Sequence, residues 1–370
     1  MTPAALSPGS QEELAAALRE ASVAGTPVEI VGGGTRSRSG RPPAPDGGDL
    51  SLNTRGLDQV IAHEPEDLTL TVEAGMPAAD AAALAASAGQ AWPQAQIRPG
   101  STVGGVLATA SSSRARLRSG PVRDSVLQMV VATGDGRLVT AGGRTVKGVS
   151  GFDLPRLAVG AHGTLGVITQ VTLKLWPVPA AQGWFGLEAP LAERLELGRH
   201  LLGLAPSGSL DDHLIEGGQV ERAFGRPVAV LLTPGRLDVE LAGPPDDVRP
   251  PVGMSAGEAP PEPEGTGIVE AGVPPPRLGE LAARLEDAGL PYEAWMGVGI
   301  CLVAVADAAG VGLVRGWAAA LGGHAQVRDA PDAMRDDPWG PPPPGVHLMR
   351  RLRDAFDPAG ILNRRLVPWP

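Results

Sequence analysis

Apolar residues recur along the chain with two alternating periods. Leu14, Leu18 and Ala21 fall at helical spacing behind Ser10-Gln11-Glu12-Glu13, a capping-box pattern, so a helix is expected from about residue 11 to a stop near Gly25. Pro27 to Val31 reads as a short strand that runs into Gly32-Gly33-Gly34-Thr35, and Arg41 to Asp49 as a Pro/Gly loop. Leu68, Leu70 and Val72 alternate with polar or small residues, which predicts a half-buried strand over 67–74. The Ala-rich run Pro77 to Ala88 predicts a helix ended by Gly89. Gln128 to Thr140 predicts two strands around Gly134-Asp135-Gly136. Val167, Thr169, Val171, Leu173 and Leu175 are expected on one face of a long strand ended by Pro177.

The pattern changes near residue 180. Residues 243–276 carry ten prolines, from Pro244 to Pro276, which reads as a long loop within a second domain, since proline disrupts helix interiors and central strands. Order resumes with a helix through Leu278, Leu281 and Leu285, a buried strand Ile300 to Val305, and a helix Val311 to Leu321 stopped by Gly322-Gly323. Pro338 to Pro344 forms a linker, and a final helix places Leu348, Leu352 and Phe356 on one face before Asp357-Pro358. No internal repeat is visible. The resulting division is 1–180, 181–337 and 338–370, the last a linker and a helix returning to the first domain.

The 370 residues suit about two domains, and 43% hydrophobic with 19% charged residues excludes wholesale disorder. A net charge of -10 and an aromatic content of 3% argue against nucleic acid as the main partner. One cysteine, Cys301, excludes an internal disulfide framework and a Cys-ligated iron–sulfur cluster, and it fits a reducing compartment. No apolar run reaches the roughly 20 residues of a membrane helix, and Met1 to Leu6 lacks a signal-peptide start, so a cytoplasmic protein without an integral membrane segment is expected.

Three segments carry candidate chemistry. The first, Ile30-Val31-Gly32-Gly33-Gly34-Thr35 with Ser37 nearby, is a strand followed by glycines whose N–H groups can turn toward one phosphate; a tight surface turn is the alternative. It lacks the third glycine of a Rossmann fingerprint. The second, Pro99-Gly100-Ser101-Thr102-Val103-Gly104-Gly105-Val106-Leu107-Ala108-Thr109, suits backbone lying close against a flat or extended ligand, or a crossover packed on a sheet. Arg114, Arg116 and Arg118 follow it as a phosphate-neutralising cluster or a solvated face. The third runs from Gly142 through Lys147-Gly148-Val149-Ser150-Gly151-Phe152-Asp153 to Gly160-Ala161-His162-Gly163-Thr164-Leu165-Gly166-Val167-Ile168.

In this order and at these distances, the three segments resemble the PCMH-type FAD-binding (vanillyl-alcohol oxidase) flavoprotein family, within it the FAD-binding E subunits of bacterial glycolate oxidase. The likeness spans roughly residues 10–180 and returns at Phe356-Asp357-Pro358-Ala359-Gly360-Ile361-Leu362-Asn363. It implies an α+β fold: an FAD domain of two α+β subdomains, a smaller α+β cap and a C-terminal helix returning to the FAD domain. It implies FAD held by Gly32, Gly33, Gly34, Thr35 and Ser37 at the pyrophosphate. Gly100, Ser101, Thr102, Gly104, Gly105 and Thr109 would line the pyrophosphate and flavin side, and Gly163, Gly166, Val167 and Ile168 would pack on the adenosine and ribityl part. It further implies a related FAD subunit and an iron–sulfur subunit as partners, a small 2-hydroxy acid as substrate, and oxidoreductase chemistry on a CH–OH group.

Two departures stand out. The family's Lys-Asn-Val-Ala-Gly-Tyr-Asp is Lys147-Gly148-Val149-Ser150-Gly151-Phe152-Asp153 here, and its final Asn-Pro-Gly-Arg is Asn363-Arg364-Arg365-Leu366. The first two loops offer neither His nor Cys for a covalent flavin link, so non-covalent FAD is expected. No catalytic base can be assigned. His162 is either a loop filler or a base, His63 an exposed residue, and His200, His213, His324 and His347 show no metal-ligand spacing. Arg350, Arg351 and Arg353 on the last helix are either solvated or a docking face for an acidic partner. Three functions follow: an FAD-binding subunit of a 2-hydroxy-acid dehydrogenase complex, a self-sufficient dehydrogenase, or an FAD-free scaffold.

Overall fold

A computed structural model describes residues 5–42, 49–143, 153–204 and 227–367. The chain divides into two compact units. The first comprises Met1–Ser113, Pro121–Val178 and Pro341–Pro370, and the second Arg114–Gly120 with Pro179–Gly340. The Arg114–Gly120 excursion into the second unit interrupts the span expected as one continuous domain.

The first unit is built on two principal sheets. A parallel three-stranded sheet orders Ala5–Leu6, Leu50–Asn53 and Val28–Val31. The helix Gln11–Ala24 is capped by the Ser10 hydroxyl, which accepts the Glu13 N–H, and ends on Gly25 in the left-handed region. Leu14 and Leu18 share a core with Val28, Leu52 and Leu362. An antiparallel five-stranded sheet orders Val60–Glu64, Thr69–Glu73, Val167–Lys174, Val126–Ala132 and Leu138–Gly142. The helices Ala78–Ser87 and Val103–Ala108 contribute Ala81, Val103 and Leu107 to the core on its Leu70 and Val171 face.

Two strand expectations are corrected here. Thr69–Glu73 is buried along its whole length. Its polar residues are tolerated because they are paired: Thr71 and Thr172 share a hydroxyl hydrogen bond of 2.9 Å, and Glu73 accepts the Gln59 N–H at 3.0 Å. In Val167–Lys174, Gln170 pairs with Val130 and Ile168 with Val131, so Thr169 is an extra residue in the ladder. This bulge resets the alternation: Ile168 joins the core of Val171 and Leu173, while Val167 faces that of Leu14 and Leu18.

The second unit holds an eight-stranded antiparallel sheet ordered Ser255–Gly257, Ala181–Glu188, Arg236–Gly243, Pro227–Thr233, Tyr292–Trp295, Ile300–Val305, Gly267–Gly272 and His324–Asp329. The order is palindromic. Each half lays down its own strands as fourth, first, third and second, and the two second strands meet in the middle. The second half is a complete strand–helix–strand–strand–helix–strand unit with helices Leu278–Asp287 and Ala308–Ala320. The first half has the helix Leu191–Leu201, but a single turn at Pro245–Asp247 stands where the other half has its second helix. Pro244, Pro245, Pro250 and Pro251 forbid a helix there. The fold is therefore duplicated although the sequence shows no repeat.

The expectation of one long loop over 243–276 fails at Gly267–Gly272, an interior strand. No proline lies between Pro263 and Pro274, and within that window Val269 and Ala271 alternate inward at 0% exposure. The helix Val346–Phe356 also departs from expectation, since none of its residues is buried and Leu348 is 51% exposed. Attachment runs through its last residue, whose Phe356 carbonyl accepts the Gly134 N–H at 2.8 Å, and through the residues after it. The buried Asp357 carboxylate accepts the N–H groups of Ile361 and Leu362 at 3.1 and 2.8 Å. Burial of Ile361 and Leu362 adds about 2 kcal/mol each.

Arg194 shows how the second unit is tied together. It is 1% exposed and donates to the carbonyls of Ala189 and Thr233, both at 2.8 Å, and to both Glu286 oxygens. Burial alone would raise the Glu286 carboxyl, but hydrogen bonds from Tyr292 and Arg194 reverse this and hold it below the usual carboxylate range. A depressed folded-state value means that the carboxylate stabilises the fold above its unfolded pKa and loses that contribution as pH falls through the folded one. Replacing Arg194 by Met is expected to lower the unfolding free energy by about 3 kcal/mol at pH 7, because it strands acceptors and a carboxylate. Urea denaturation across a pH series should show the gap to wild type narrowing below the ordinary carboxylate range.

Candidate functional site

The strand Val28–Val31 ends at the first glycine loop, and its backbone dictates what the loop can do. Beyond the strand, the N–H groups of Gly32, Gly33, Gly34 and Thr35 find no acceptor among the described residues. Consecutive unsatisfied amides form an anion-binding concavity. Two glycines are required here for different reasons. A Cβ on Gly33 would collide with the carbonyl of Gly100, so the first and second segments touch backbone to backbone. Gly34 has φ +71° with open space around it, a conformation that disfavours other residues without any clash.

The second segment turns on the Ser101 hydroxyl, which bonds both the N–H and the carbonyl of Arg98. Thr102 then caps the short helix Val103–Ala108 by accepting the Gly105 N–H at 3.1 Å. Thr109 closes it by donating to the Gly105 carbonyl at 2.8 Å. In the third segment His162 and Gly163 both have positive φ, +52° and +74°. The His162 N–H donates to the Ala108 carbonyl at 2.8 Å, which ties the third segment to the second.

These turns surround one cavity of about 470 Å³, a volume in the range of small-molecule and cofactor sites. Of the expected residues, Gly32, Gly33, Gly34, Thr35, Ser37, Thr102, Gly104, Gly105, Thr109, Gly163, Gly166, Val167 and Ile168 line it. Gly100 and Ser101 do not; they support the wall, Gly100 against Gly33 and Ser101 within its own turn. Sequence reasoning missed Arg36, Arg41 and Asp49 on the lining, and identified Asn363, Arg365 and Leu366 only as parts of a departing motif. Three arginines and two carboxylates, Glu29 and Asp49, make the lining net positive within a chain of net charge -10, as an anionic ligand requires. Free amides, an extended cavity and an excess of cations fit a dinucleotide such as FAD.

The other candidates lie elsewhere. Arg114 and Arg118 belong to the second unit, where Arg114 pairs with Glu293 through two bonds and Arg118 donates to the Ala242 carbonyl at 2.6 Å. Neither lines the cavity, so a phosphate-neutralising role is not theirs. His162 lines the cavity wall, His63 bonds Gln90 at 3.2 Å, and His200, His324 and His347 lie in a helix, a strand and the exposed last helix. His213 and the Lys147 to Phe152 segment lie outside the described residues. Burial raises the carboxyls of Asp238, Glu240 and Glu293 in the second unit, despite partners in Arg236, Gln182 and Arg114. Among the described residues no group of three His, Cys, Asp or Glu is placed to hold a metal, and no helix is long and apolar enough to cross a membrane.

Comparison with known proteins agrees with this geometry. Residues 2–142 match the model of an FAD binding domain. The chain is 34% identical over 172 residues to the glycolate oxidase subunit GlcE of Escherichia coli, covering 46% of this chain and 48% of that one. It is 35% identical over 175 residues to the mitochondrial cytochrome D-lactate dehydrogenase of Arabidopsis thaliana, covering 46% and 30%, and 32% identical over 180 residues to GlcD of Bacillus subtilis, covering 48% and 38%. The matched stretch thus spans about half or less of these relatives' length. Among solved structures, alkyldihydroxyacetonephosphate synthase superposes with a TM-score of 0.63 at 16% identity, over 98% of this chain and 77% of that one, which is a likeness of fold.

The contrast between Gly33 and Gly34 gives a direct test of the cradle. Gly33→Ala should abolish FAD retention and lower thermal stability, because backbone meets backbone. Gly34→Ala should fold, lose about 1 kcal/mol to left-handed strain, and keep weakened FAD binding. Flavin absorbance of the purified variants and their melting temperatures read both effects. Residues 2–142 thus match an FAD binding domain, and over somewhat less than half of its length the chain is similar to glycolate oxidase subunits and D-lactate dehydrogenases.

Proposed function

We propose that this chain is the FAD-binding subunit of a glycolate-oxidase-like 2-hydroxy-acid dehydrogenase. The observation that carries the reading is the run of amides at Gly32 to Thr35 without an acceptor among the described residues, opening into a cavity walled by the second and third segments. In this reading the four amides hold the pyrophosphate, and Arg36, Arg41 and Arg365 offset its charge. Thr102, Gly104, Gly105 and Thr109 allow close approach along one side. Gly163, Gly166, Val167 and Ile168 exclude water along the other. When bound, FAD supplies the two-electron acceptor for hydride from a CH–OH group. In this reading attachment is non-covalent, since the first two loops carry neither histidine nor cysteine.

The E. coli relative is named as a subunit, which favours an assembly containing a related FAD subunit. An iron–sulfur centre in that assembly would sit on another chain, given one cysteine here, buried in the second unit. The Arabidopsis relative, named as a D-lactate dehydrogenase, favours the second reading, a self-sufficient enzyme.

Anaerobic mixing of FAD-loaded protein with glycolate and D-lactate separates the two. The subunit reading expects the flavin absorbance to persist with the lone chain and to bleach once the partner chains are added. Bleaching by the lone chain would establish the self-sufficient enzyme, and a protein that refuses FAD would defeat both.

A further inference from the structure

The last residues of the chain return to the FAD cavity in a way that the proposed function does not use. After the Asp357 turn, Leu362 pairs in parallel with Val28 as an isolated bridge at the edge of the Val28–Val31 strand. The Val28 N–H donates to the Ile361 carbonyl at 2.8 Å, and the Asn363 N–H donates to the Val28 carbonyl at 2.9 Å. At the next position along that edge no backbone partner follows. The Asn363 side chain takes over: its Oδ1 accepts the Ile30 N–H at 2.9 Å, and its Nδ2 donates to the His162 carbonyl at 2.7 Å. Ile30 leads directly into the first glycine loop, and His162 into the Gly163 turn of the third. One carboxamide therefore spans two cavity walls that lie more than 130 residues apart in sequence.

The fit is close. Asn363 itself has φ +38°, a backbone state that asparagine tolerates better than most residues. A Cβ on Gly163 would lie 2.7 Å from its Nδ2, so that glycine leaves room for the carboxamide. Beyond it Arg365 and Leu366 line the cavity, and the Leu366 N–H donates back to the Asn363 carbonyl at 2.9 Å.

We propose that Asn363 is a cofactor-positioning residue: its carboxamide fixes the spacing of the first and third loops, and the tail it anchors supplies a wall of the cavity. The inference rests on the FAD reading. It assigns Asn363 no contact with the cofactor; the residue acts through Ile30 and His162.

Asn363→Gly is the discriminating variant, since glycine adopts the positive φ freely and removes only the carboxamide. Loss of two hydrogen bonds of ordinary strength should weaken FAD binding about thirtyfold, read by titrating FAD-free protein with FAD, while the melting temperature of the FAD-free protein stays near wild type. Wild-type affinity in the variant overturns the proposal, as does weaker binding that only accompanies an equally lowered FAD-free melting temperature. If the variant does not fold, hydrogen exchange at the Ile30 amide of the wild-type protein decides: FAD should slow it at least about tenfold, and an unchanged rate overturns the proposal. A wild-type chain that binds no FAD defeats the cofactor reading itself, an outcome distinct from either.

Discussion

One constraint shapes the first glycine loop: a run of backbone amides that finds no acceptor among the described residues must still be held in place. Partnerless N–H groups destabilise a fold when they are buried away from water, so such a loop survives only between firm supports. Here the supports are the Val28–Val31 strand on one side and the Gly100 carbonyl pressed against Gly33 on the other. The strand is itself secured twice, by its parallel partner Leu50–Asn53 and by the C-terminal residues Ile361 to Asn363 along its other edge. The site is thus made of main chain. Its lining, chiefly glycine and threonine, leaves room for the main chain to approach a ligand.

That choice explains what was legible in the sequence. Glycine clusters bounded by strand and helix patterns are visible without coordinates, and thirteen of the fifteen residues expected at the cofactor line the cavity. Gly100 and Ser101 fall outside because a turn residue that shapes a wall looks, in sequence, the same as one that forms its surface. The arginines could not be placed for a related reason. Arg114, Arg116 and Arg118 follow the second segment directly and invited a role in phosphate binding, yet the chain leaves the first unit at Arg114. Arg36 and Arg41 drew no attention, and Arg365 only as part of a departing motif, because charge beside a loop carries no signal until the fold gathers it. The tail is the extreme case, since nothing local to Asn363 says that it will meet Ile30, 333 positions away.

Strand errors have the same origin in tertiary context. Alternation of Leu68, Leu70 and Val72 is a faithful sign of one buried face, but it cannot report that Thr69, Thr71 and Glu73 are also buried and matched with partners. A single extra residue at Thr169 moves Val167 to a different core, and no propensity marks it. In the second unit, proline density hid a strand of six residues because the eye averages over 34 positions, whereas a strand needs only the proline-free window between Pro263 and Pro274.

The duplicated sheet sharpens the contrast between the units. Two halves share strand order and pairing while differing in sequence, in loop length and in one helix. A sheet specified by alternating apolar positions tolerates such drift, since packing asks only for volume and pattern. The first glycine loop tolerates far less, because any Cβ at Gly33 meets a carbonyl oxygen that cannot move without dragging the second segment with it. The FAD binding domain match covers residues 2–142, which hold the first two glycine segments, and the curated relatives align over less than half of the chain. The second unit, held by side-chain volume and by ion pairs such as Arg194 with Glu286 and Arg114 with Glu293, is under no such main-chain constraint.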